Sequence, residues 1–206
     1  TGISRAKSCV SGVAADFDND MDLDVYMACR QGVNNLANRY FDNQGDGTFV
    51  EVLSHGGEGP VGAGLEYGVA ESVAVADYDV DGFMDVAATN GLLYYPVGSG
   101  GPYSLLRNKG NSNKWIEIDL EGVSSNRDGV GAMVYATAGG VTQLREQNGG
   151  YHRWSQNSQR IHFGLASNNT VDITIKWPSG EVDTHSNVPA NALYQATEGG
   201  NISPVT

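Results

Sequence analysis

Short apolar runs separated by polar turns continue along the whole chain. Residues 12–15, 25–29, 73–76 and 86–89 are rich in small and β-branched side chains, with Gly, Asn and Asp around them. Such runs are typical of β-strands bounded by turns. The sequence contains no apolar stripe of helical period that lasts ten residues or more. We therefore predict an all-β protein.

The N-terminal half contains one pattern twice. Two of the apolar runs flank an acidic segment at residues 16–24, and the other two flank a similar segment at residues 77–85. Residues 103–108 also resemble residues 38–43. Repeats of about sixty residues commonly indicate propeller blades or stacked arrays. We expect two such repeats within residues 1–112.

A Gly-Asp-Gly sequence at residues 45–47 lies between two strand-like runs and predicts a hairpin. Asp42 and Asp46 flank or occupy this turn and could be weak cation ligands, but a lone turn of this kind is more often only a turn. We assign no metal to them. Residues 55–68 are rich in glycine and are predicted to be a connection.

The pattern changes at residue 113. Residues 115–120, 130–137 and 171–177 alternate between apolar and polar side chains, and glycine pairs and a Pro-Ser-Gly sequence separate them. This alternation predicts half-buried strands. Residues 113–206 are therefore predicted to form a second all-β domain without acidic loops.

The two acidic segments carry carboxylates at alternate positions. Two carboxylates about 5 Å apart repel by roughly 3 kcal/mol at an effective dielectric near 20, and a bound cation removes that penalty. Several carboxylates plus a backbone carbonyl form the all-oxygen set that calcium prefers, whereas zinc favours His or Cys. We predict about two calcium ions, with a solvated acidic turn as the alternative. The predicted ligands are Asp16, Asp18, Asp20, Asp22 and Asp24 in the first loop, and Asp77, Asp79, Asp81, Phe83 and Asp85 in the second.

The seventh position of each loop, Asp22 or Phe83, is expected to offer its backbone carbonyl, and Phe83 has no other ligand atom. The sixth position favours glycine because the turn is sharp. The second loop has Gly82 there, whereas the first has Met21. We therefore expect a positive φ at Met21 and a distorted or weaker first site.

Charge excludes some partners. The chain of 206 residues has a formal net charge of −12, so nucleic acid and anionic membranes are disfavoured. No apolar run is long enough to insert in a membrane, and the first ten residues lack the apolar core of a signal peptide. The chain begins with Thr1, which is expected of a processed protein or a fragment.

Cys9 and Cys29 flank the first acidic loop. If that loop closes a hairpin that pairs Ala15 with Val25, both cysteines lie on one face of adjacent strands, one pair out of direct register. We favour a disulfide, which would contribute about 3 kcal/mol and indicate an oxidising compartment. Two buried free thiols are the alternative.

Several of these motifs resemble known families. Residues 16–24 and 77–85 resemble the FG-GAP/VCBS repeat, a calcium-loop propeller blade. Residues 126–132, 155–158, 160–165 and 176–180 are similar to the ASPIC/UnbV domain that follows such repeats in the cartilage acidic protein family. The resemblance implies propeller-blade-like repeats followed by a β-sandwich or barrel-like domain. It also implies an extracellular or cell-surface, calcium-binding module that is not an enzyme.

The remaining candidate residues point to binding rather than catalysis. The four histidines are dispersed, and His162 is expected to bond the neighbouring backbone. A sugar or a protein partner could be contacted by Tyr151, Arg153 and Trp154. The interpretation that we favour is that the tryptophan packs into the domain. Asn168 and Asn201 match the N-glycosylation pattern, the second weakened by Pro204.

We expect a structural or interaction module. A carbohydrate-binding protein and a hydrolase with structural calcium are the alternatives. Two blades cannot close a propeller, so their edges require partners. We expect these to be the C-terminal domain, the rest of a longer chain, or copies of the chain joined head to tail, which could form filaments.

Overall fold

The computed structural model describes residues 3, 9–29, 38–56, 69–91, 103–152 and 154–205. Every regular element in these ranges is a β-strand, so the predicted all-β class is confirmed. None of the described residues belongs to a helix long and apolar enough to cross a membrane.

The first repeat forms a four-stranded antiparallel sheet. Its strands are β1 (Cys9–Ala15), β2 (Asp24–Cys29), β3 (Arg39–Asn43) and β4 (Phe49–Val52), and they pair in chain order. The acidic loop joins β1 to β2, and the predicted Gly-Asp-Gly turn joins β3 to β4. This simple meander is the arrangement of a propeller blade. We call it the first blade.

The second repeat follows the same plan. Strands β5 (Val69–Ala76), β6 (Asp85–Gly91) and β7 (Ser104–Leu106) form an antiparallel sheet, in which the second acidic loop joins β5 to β6. We call it the second blade. Both blades contribute to one core, so they pack against each other. Its buried residues are Val13, Ala15, Phe17, Tyr26, Ala28, Val73, Val75, Met84 and Val86.

The first hairpin corrects the predicted register. Ala15 pairs with Asp24 rather than Val25, and a bulge between Cys9 and Ser11 places Cys9 directly opposite Cys29. A bulge adds one residue to one strand, which restores the alignment that a regular ladder would have missed. The predicted Cys9–Cys29 disulfide is present.

The C-terminal region forms two packed sheets, which we call the sandwich. Its strands are β8 (Lys114–Glu121), β9 (Met133–Ala138), β10 (Val141–Glu146), β11 (Tyr151–His152), β12 (Ser155–Gln156), β13 (Ile161–Ala166), β14 (Thr170–Lys176), β15 (Val182–Pro189), β16 (Ala192–Thr197) and β17 (Ile202–Pro204). One sheet has the order β13-β8-β16-β17, with β16 parallel to β8, and the other has the order β10-β9-β14-β15. A short hairpin, β11 with β12, lies between β10 and β13 in the chain.

Alternating side chains build the core of the sandwich. On β14, Val171, Ile173 and Ile175 are buried, as the period of two predicts. Strand β9 begins at Met133 rather than at the predicted residue 130. Residues 129–132 belong instead to a turn, because the amides of Gly129 and Ala132 bond carbonyls three residues before them.

Strand β5 of the second blade is bonded to the sandwich. The amide of Val75 donates to Asn157 Oδ1 at 3.0 Å, and its carbonyl accepts from the amide of Ser158 at 3.0 Å. Ser155 Oγ donates to the carbonyl of Val73 at 2.7 Å. The Ser-Gln-Asn-Ser motif at residues 155–158 therefore covers a strand edge that would otherwise expose unpaired backbone groups.

Candidate metal centres

Each acidic loop brings three carboxylates together. In the first loop (residues 16–24), Asp16, Asp18 and Asp24 each offer an oxygen, and these oxygens lie within 4.8 Å of one another. In the second loop (residues 77–85), Asp77, Asp79 and Asp85 do the same. These six predicted ligands converge in the loops that join the first two strands of each blade.

Backbone amides shape both loops in the same way. The carboxylate of Asp16 accepts from the amides of Asp20 and Met21, both at 3.0 Å. The carboxylate of Asp77 accepts from the amides of Asp81 at 3.1 Å and Gly82 at 2.7 Å. The repeat detected in the sequence is therefore a repeat of hydrogen-bond geometry.

An asparagine at the end of the third strand, or just after it, holds the last aspartate of each loop. Asp24 accepts from the amide of Asn43 at 2.9 Å, and Asp85 accepts from the amide of Asn108 at 2.6 Å. The side-chain amides of both asparagines donate back to their loops, at the carbonyls of Leu23 and Met84. Sequence analysis did not assign a role to Asn43 or Asn108. The resemblance of residues 103–108 to residues 38–43 was the signal that could have found them.

The other predicted ligands lie outside the two groups of three. Asp20 and Asp81 instead use their Oδ1 atoms to accept from the amides two residues ahead, at 3.1 Å. Phe83 has a buried side chain, which packs against Gly110. Asp22 places Oδ1 in the interior without a hydrogen-bond partner.

Burial and mutual repulsion disfavour the ionised form of the first-loop carboxylates when no cation compensates their charge. Burial raises the pKa of Asp16 to about 8, although the Met21 amide lowers it. Burial, and then repulsion from Asp20 and other loop carboxylates, raises the pKa of Asp18 to about 6 and that of Asp22 to about 7. Burial also raises the pKa values of Asp77 and Asp85.

The donor set fits a hard divalent cation. Every ligand atom in the two groups is a carboxylate oxygen, and the unpaired buried oxygen of Asp22 is a polar atom that requires a partner. A cation would supply that partner and would lower the raised pKa values, because opposite charge favours the ionised carboxylate.

The prediction of a positive φ at Met21 is confirmed. Met21 has φ 88° and Gly82 has φ 89°, and the residues two positions earlier, Asn19 and Val80, also match at 61° and 58°. The backbone of the first loop is therefore not distorted at its sixth position. This finding removes the structural reason for expecting a weaker first site.

Met21 and Gly82 differ in what they contact. Met21 packs against the apolar core of the sandwich, where the Asn168 side chain lies 3.7 Å from its sulfur. Gly82 lies against the indole of Trp115, and an added Cβ would fall 1.9 Å from that ring. The Met21 side chain thus extends from the first loop into the sandwich. In the second loop, the missing side chain of Gly82 leaves space for Trp115 of the sandwich.

Strand β13 of the sandwich touches both loops. Gly164 approaches the first loop so closely that an added Cβ would lie 2.2 Å from Asp16 Oδ2. Nε2 of buried His162 lies 3.1 Å from the carbonyl of Gly82 in the second loop. Because a carbonyl only accepts, Nε2 carries the proton. His162 therefore bonds the second loop, eighty residues away, and not the neighbouring backbone that sequence analysis predicted.

The loops are also bonded to each other. Asn19, which is fully buried, donates from Nδ2 to the carbonyl of Gly82 at 3.0 Å. The carbonyl of Asn19 accepts from the amide of Ala166 in the sandwich at 2.8 Å. Blades, loops and sandwich therefore meet at one place.

The remaining candidate residues belong to neither group of three carboxylates. Asp42 and Asp46 accept bonds from Gln44 and Thr48 within the β3–β4 turn, as turn chemistry predicts. Trp154 is 71% exposed at a φ of 59°, so the expectation that it packs into the domain is wrong. Tyr151 begins strand β11, and Arg153 lies outside the described residues.

The glycosylation candidates differ in their surroundings. Asn168 is half-buried and its Nδ2 donates to the carbonyl of Leu165 at 2.9 Å, so a glycan on that nitrogen would have to displace this contact. Asn201 is exposed and lies between the last turn and β17. Both assignments stay predictions.

Comparison with known proteins identifies the class of this chain. Residues 16–88 match the model of the FG-GAP-like repeat, and residues 122–203 match the model described as ASPIC and UnbV. The chain thus combines FG-GAP-like repeats with an ASPIC and UnbV region, which confirms the resemblance read from its motifs.

The similar curated proteins carry one name. Cartilage acidic protein 1 of Mus musculus is 30% identical over 183 residues, which cover 84% of this chain and 26% of that protein. Its namesakes in Xenopus tropicalis and Homo sapiens are both 28% identical over 179 residues. The chain spans about a quarter of the length of these relatives.

Proposed function

We propose that this chain is a non-catalytic, extracellular calcium-binding module with a structural or interaction role. The observation that carries the proposal is the pair of equivalent carboxylate groups, Asp16 with Asp18 and Asp24, and Asp77 with Asp79 and Asp85. The carboxylates of each group are mostly buried, and backbone amides of the same loop already hold them in place. Such preorganisation is the property of a binding site rather than of a solvated turn.

The ligands of each ion would be the three converging carboxylates, completed by further oxygens of the same loop. Asp22 is the additional ligand that we propose in the first loop, because its buried Oδ1 lacks a hydrogen-bond partner. A bound calcium ion would supply positive charge and oxygen coordination. The loops also contact other parts of the chain, through Asn19, Met21 and Gly82. Loops made rigid by a bound ion would therefore hold the two blades and the sandwich together.

Two observations support an extracellular location. The Cys9–Cys29 disulfide belongs to an oxidising compartment. The similar curated proteins are named for cartilage, which is an extracellular tissue matrix. Glycosylation at Asn201 would be compatible with this location.

The titratable groups of the central region are committed to structure. His162 donates to the Gly82 carbonyl, and Glu117 pairs with Arg160 at 3.1 Å, while the aspartates hold loop amides. Carboxylates that bind calcium are not free to shuttle protons. We therefore propose no catalytic role, and hydrolysis with structural calcium becomes the weaker alternative.

The blades require neighbours beyond the sandwich. Strand β4 is the outermost strand of the first blade, and Val50 and Leu53 near this edge are 51% and 79% exposed. We propose that further blades of a longer chain, or copies of this chain joined head to tail, cover this edge. Light scattering of the purified chain in calcium would test the second arrangement, which a stable monomer at micromolar concentration would exclude.

The exposed Trp154 favours a second candidate function. An aromatic face open to solvent can stack on a sugar or anchor a protein partner. Carbohydrate binding therefore remains a candidate for this surface. Glycan-array binding that is lost in Trp154→Ala would support it, and the absence of binding by the unsubstituted chain would contradict it.

Thermal unfolding tests the calcium proposal. Because calcium binds only the folded chain, one ion at a hundred times its dissociation constant would contribute about 2.7 kcal/mol. We expect the midpoint in millimolar calcium to exceed the midpoint in excess chelator, and magnesium to raise it less. Equal midpoints in calcium and chelator would contradict the proposal.

A further inference from the structure

An arginine contacts the second loop. Arg107 follows strand β7, and its Nε lies 2.5 Å from Asp79 Oδ2 while its Nη2 lies 3.0 Å from Asp81 Oδ2. The arginine side chain is 60% exposed, and the two aspartates are 26% and 30% exposed. The guanidinium therefore neutralises the outer side of the second loop, whereas Asp77 and Asp85 hold the inner side.

The equivalent position of the first blade has the opposite charge. Asn43 and Asn108 bond the last aspartates of their loops in the same way, so the residues before them, Asp42 and Arg107, occupy matching positions. Asp42 is one of the charges that raise the pKa of Asp18. The two repeats thus add a negative charge beside one loop and a positive charge beside the other.

In the part of the chain that the structure describes, no cation pairs with a carboxylate of the first loop as Arg107 pairs with the second. Arg145 lowers the pKa of Asp16 through space, but its guanidinium stacks over Phe163 at 5.1 Å and donates to Gln143 and to the carbonyl of Leu144.

We propose that Asp42 and Arg107 set the order in which the two loops bind calcium, with the first loop tighter. The inference rests on the proposed calcium function and reverses the order expected from the loop sequences. Asp79 is both a proposed ligand and the partner of Arg107, so an ion entering the second loop competes with the guanidinium. An ion entering the first loop meets an additional carboxylate.

Calcium titration of charge variants tests this proposal. A unit charge about 6 Å from a divalent ion changes its affinity by about tenfold in water. Arg107→Gln should therefore bind calcium about tenfold tighter at the second loop, and Asp42→Asn about tenfold weaker at the first. Asp16→Asn disables the first loop, so the effect of Arg107→Gln on the second loop is measured in this variant. The same comparison is then repeated in the chain with both loops intact.

The control is Lys109→Gln. Lys109 is exposed and two residues from Arg107, so its substitution changes net charge equally without removing the ion pairs. Tighter binding in Arg107→Gln alone, with an effect that shrinks at high salt, supports the proposal. Calcium binding that is equal in Arg107→Gln and the unsubstituted chain overturns it and leaves the proposed function standing. A chain that binds no calcium in any variant overturns both.

Discussion

Gly82 lies against the ring of Trp115, so closely that a Cβ at this position would fall 1.9 Å from the indole. This contact joins the tip of the second loop to strand β8 of the sandwich. Because the same glycine has a φ of 89° and offers its carbonyl to Asn19 and His162, one residue serves three structural requirements. The loop and the sandwich are therefore a single packed unit at this point.

Gly82→Ala is expected to destabilise the chain by about 2 to 5 kcal/mol, because it adds overpacking to the cost of a left-handed backbone. Gly47→Ala is the matched control, since Gly47 has φ 84° but open space around it. It should cost only the backbone part, about 1–2 kcal/mol. Chemical denaturation of both variants in calcium provides the comparison. Equal losses would show that Trp115 does not constrain this position.

Calcium binding is expected to release protons near neutral pH. The pKa of Asp16 is about 8 when no cation compensates its burial, against an ordinary value of 3.8. Between these values the folded chain without calcium holds a proton that the unfolded chain has lost, so its stability falls as pH rises through this window. Calcium requires the ionised carboxylate and displaces the proton.

Calorimetric titration at pH 7 in two buffers of different ionisation enthalpy measures this release. The apparent binding enthalpy should differ between the buffers, and Asp16→Asn should reduce the difference because it removes the titrating group. Identical enthalpies in both buffers would mean that the loop carboxylates are already ionised before the ion binds.

The disulfide is expected to contribute about 3 kcal/mol by restricting the unfolded chain, since it links residues separated by 20 positions. The double variant Cys9→Ala with Cys29→Ala should unfold at lower denaturant concentration without losing calcium binding, because the bridge lies at the far ends of the strands from the loop. Intact mass before and after reduction and alkylation checks the bridge itself. Alkylation of both thiols in denatured protein without reductant would show that it does not form.

The sequence predicted features that depend on local spacing. Alternation located the sandwich strands, the repeated aspartates located both loops, and the sixth-position rule predicted the unusual backbone of Met21. These features are visible because their causes lie within a few residues. The bulge that aligns Cys9 with Cys29 was missed, since a one-residue insertion leaves the pattern of side chains nearly unchanged.

Contacts between the modules were not predicted. Trp115, His162 and Gly164 touch the loops from strands that are far away in sequence, and periodicity assigns such residues only to strands. The opposite charges of Asp42 and Arg107 were visible in the sequence, but their relation to the loops depends on the pairing of the third strand with the second.

The central claim is that both loops bind calcium, and the number of ions bound per chain tests it most directly. Isothermal titration of the chelator-treated chain should give two ions, and Asp16→Asn and Asp77→Asn should each give one, because each removes a carboxylate from one group of three. Circular dichroism of the same samples confirms that the variants remain folded. No calcium binding by the folded chain, or two ions bound by both variants, would contradict the account.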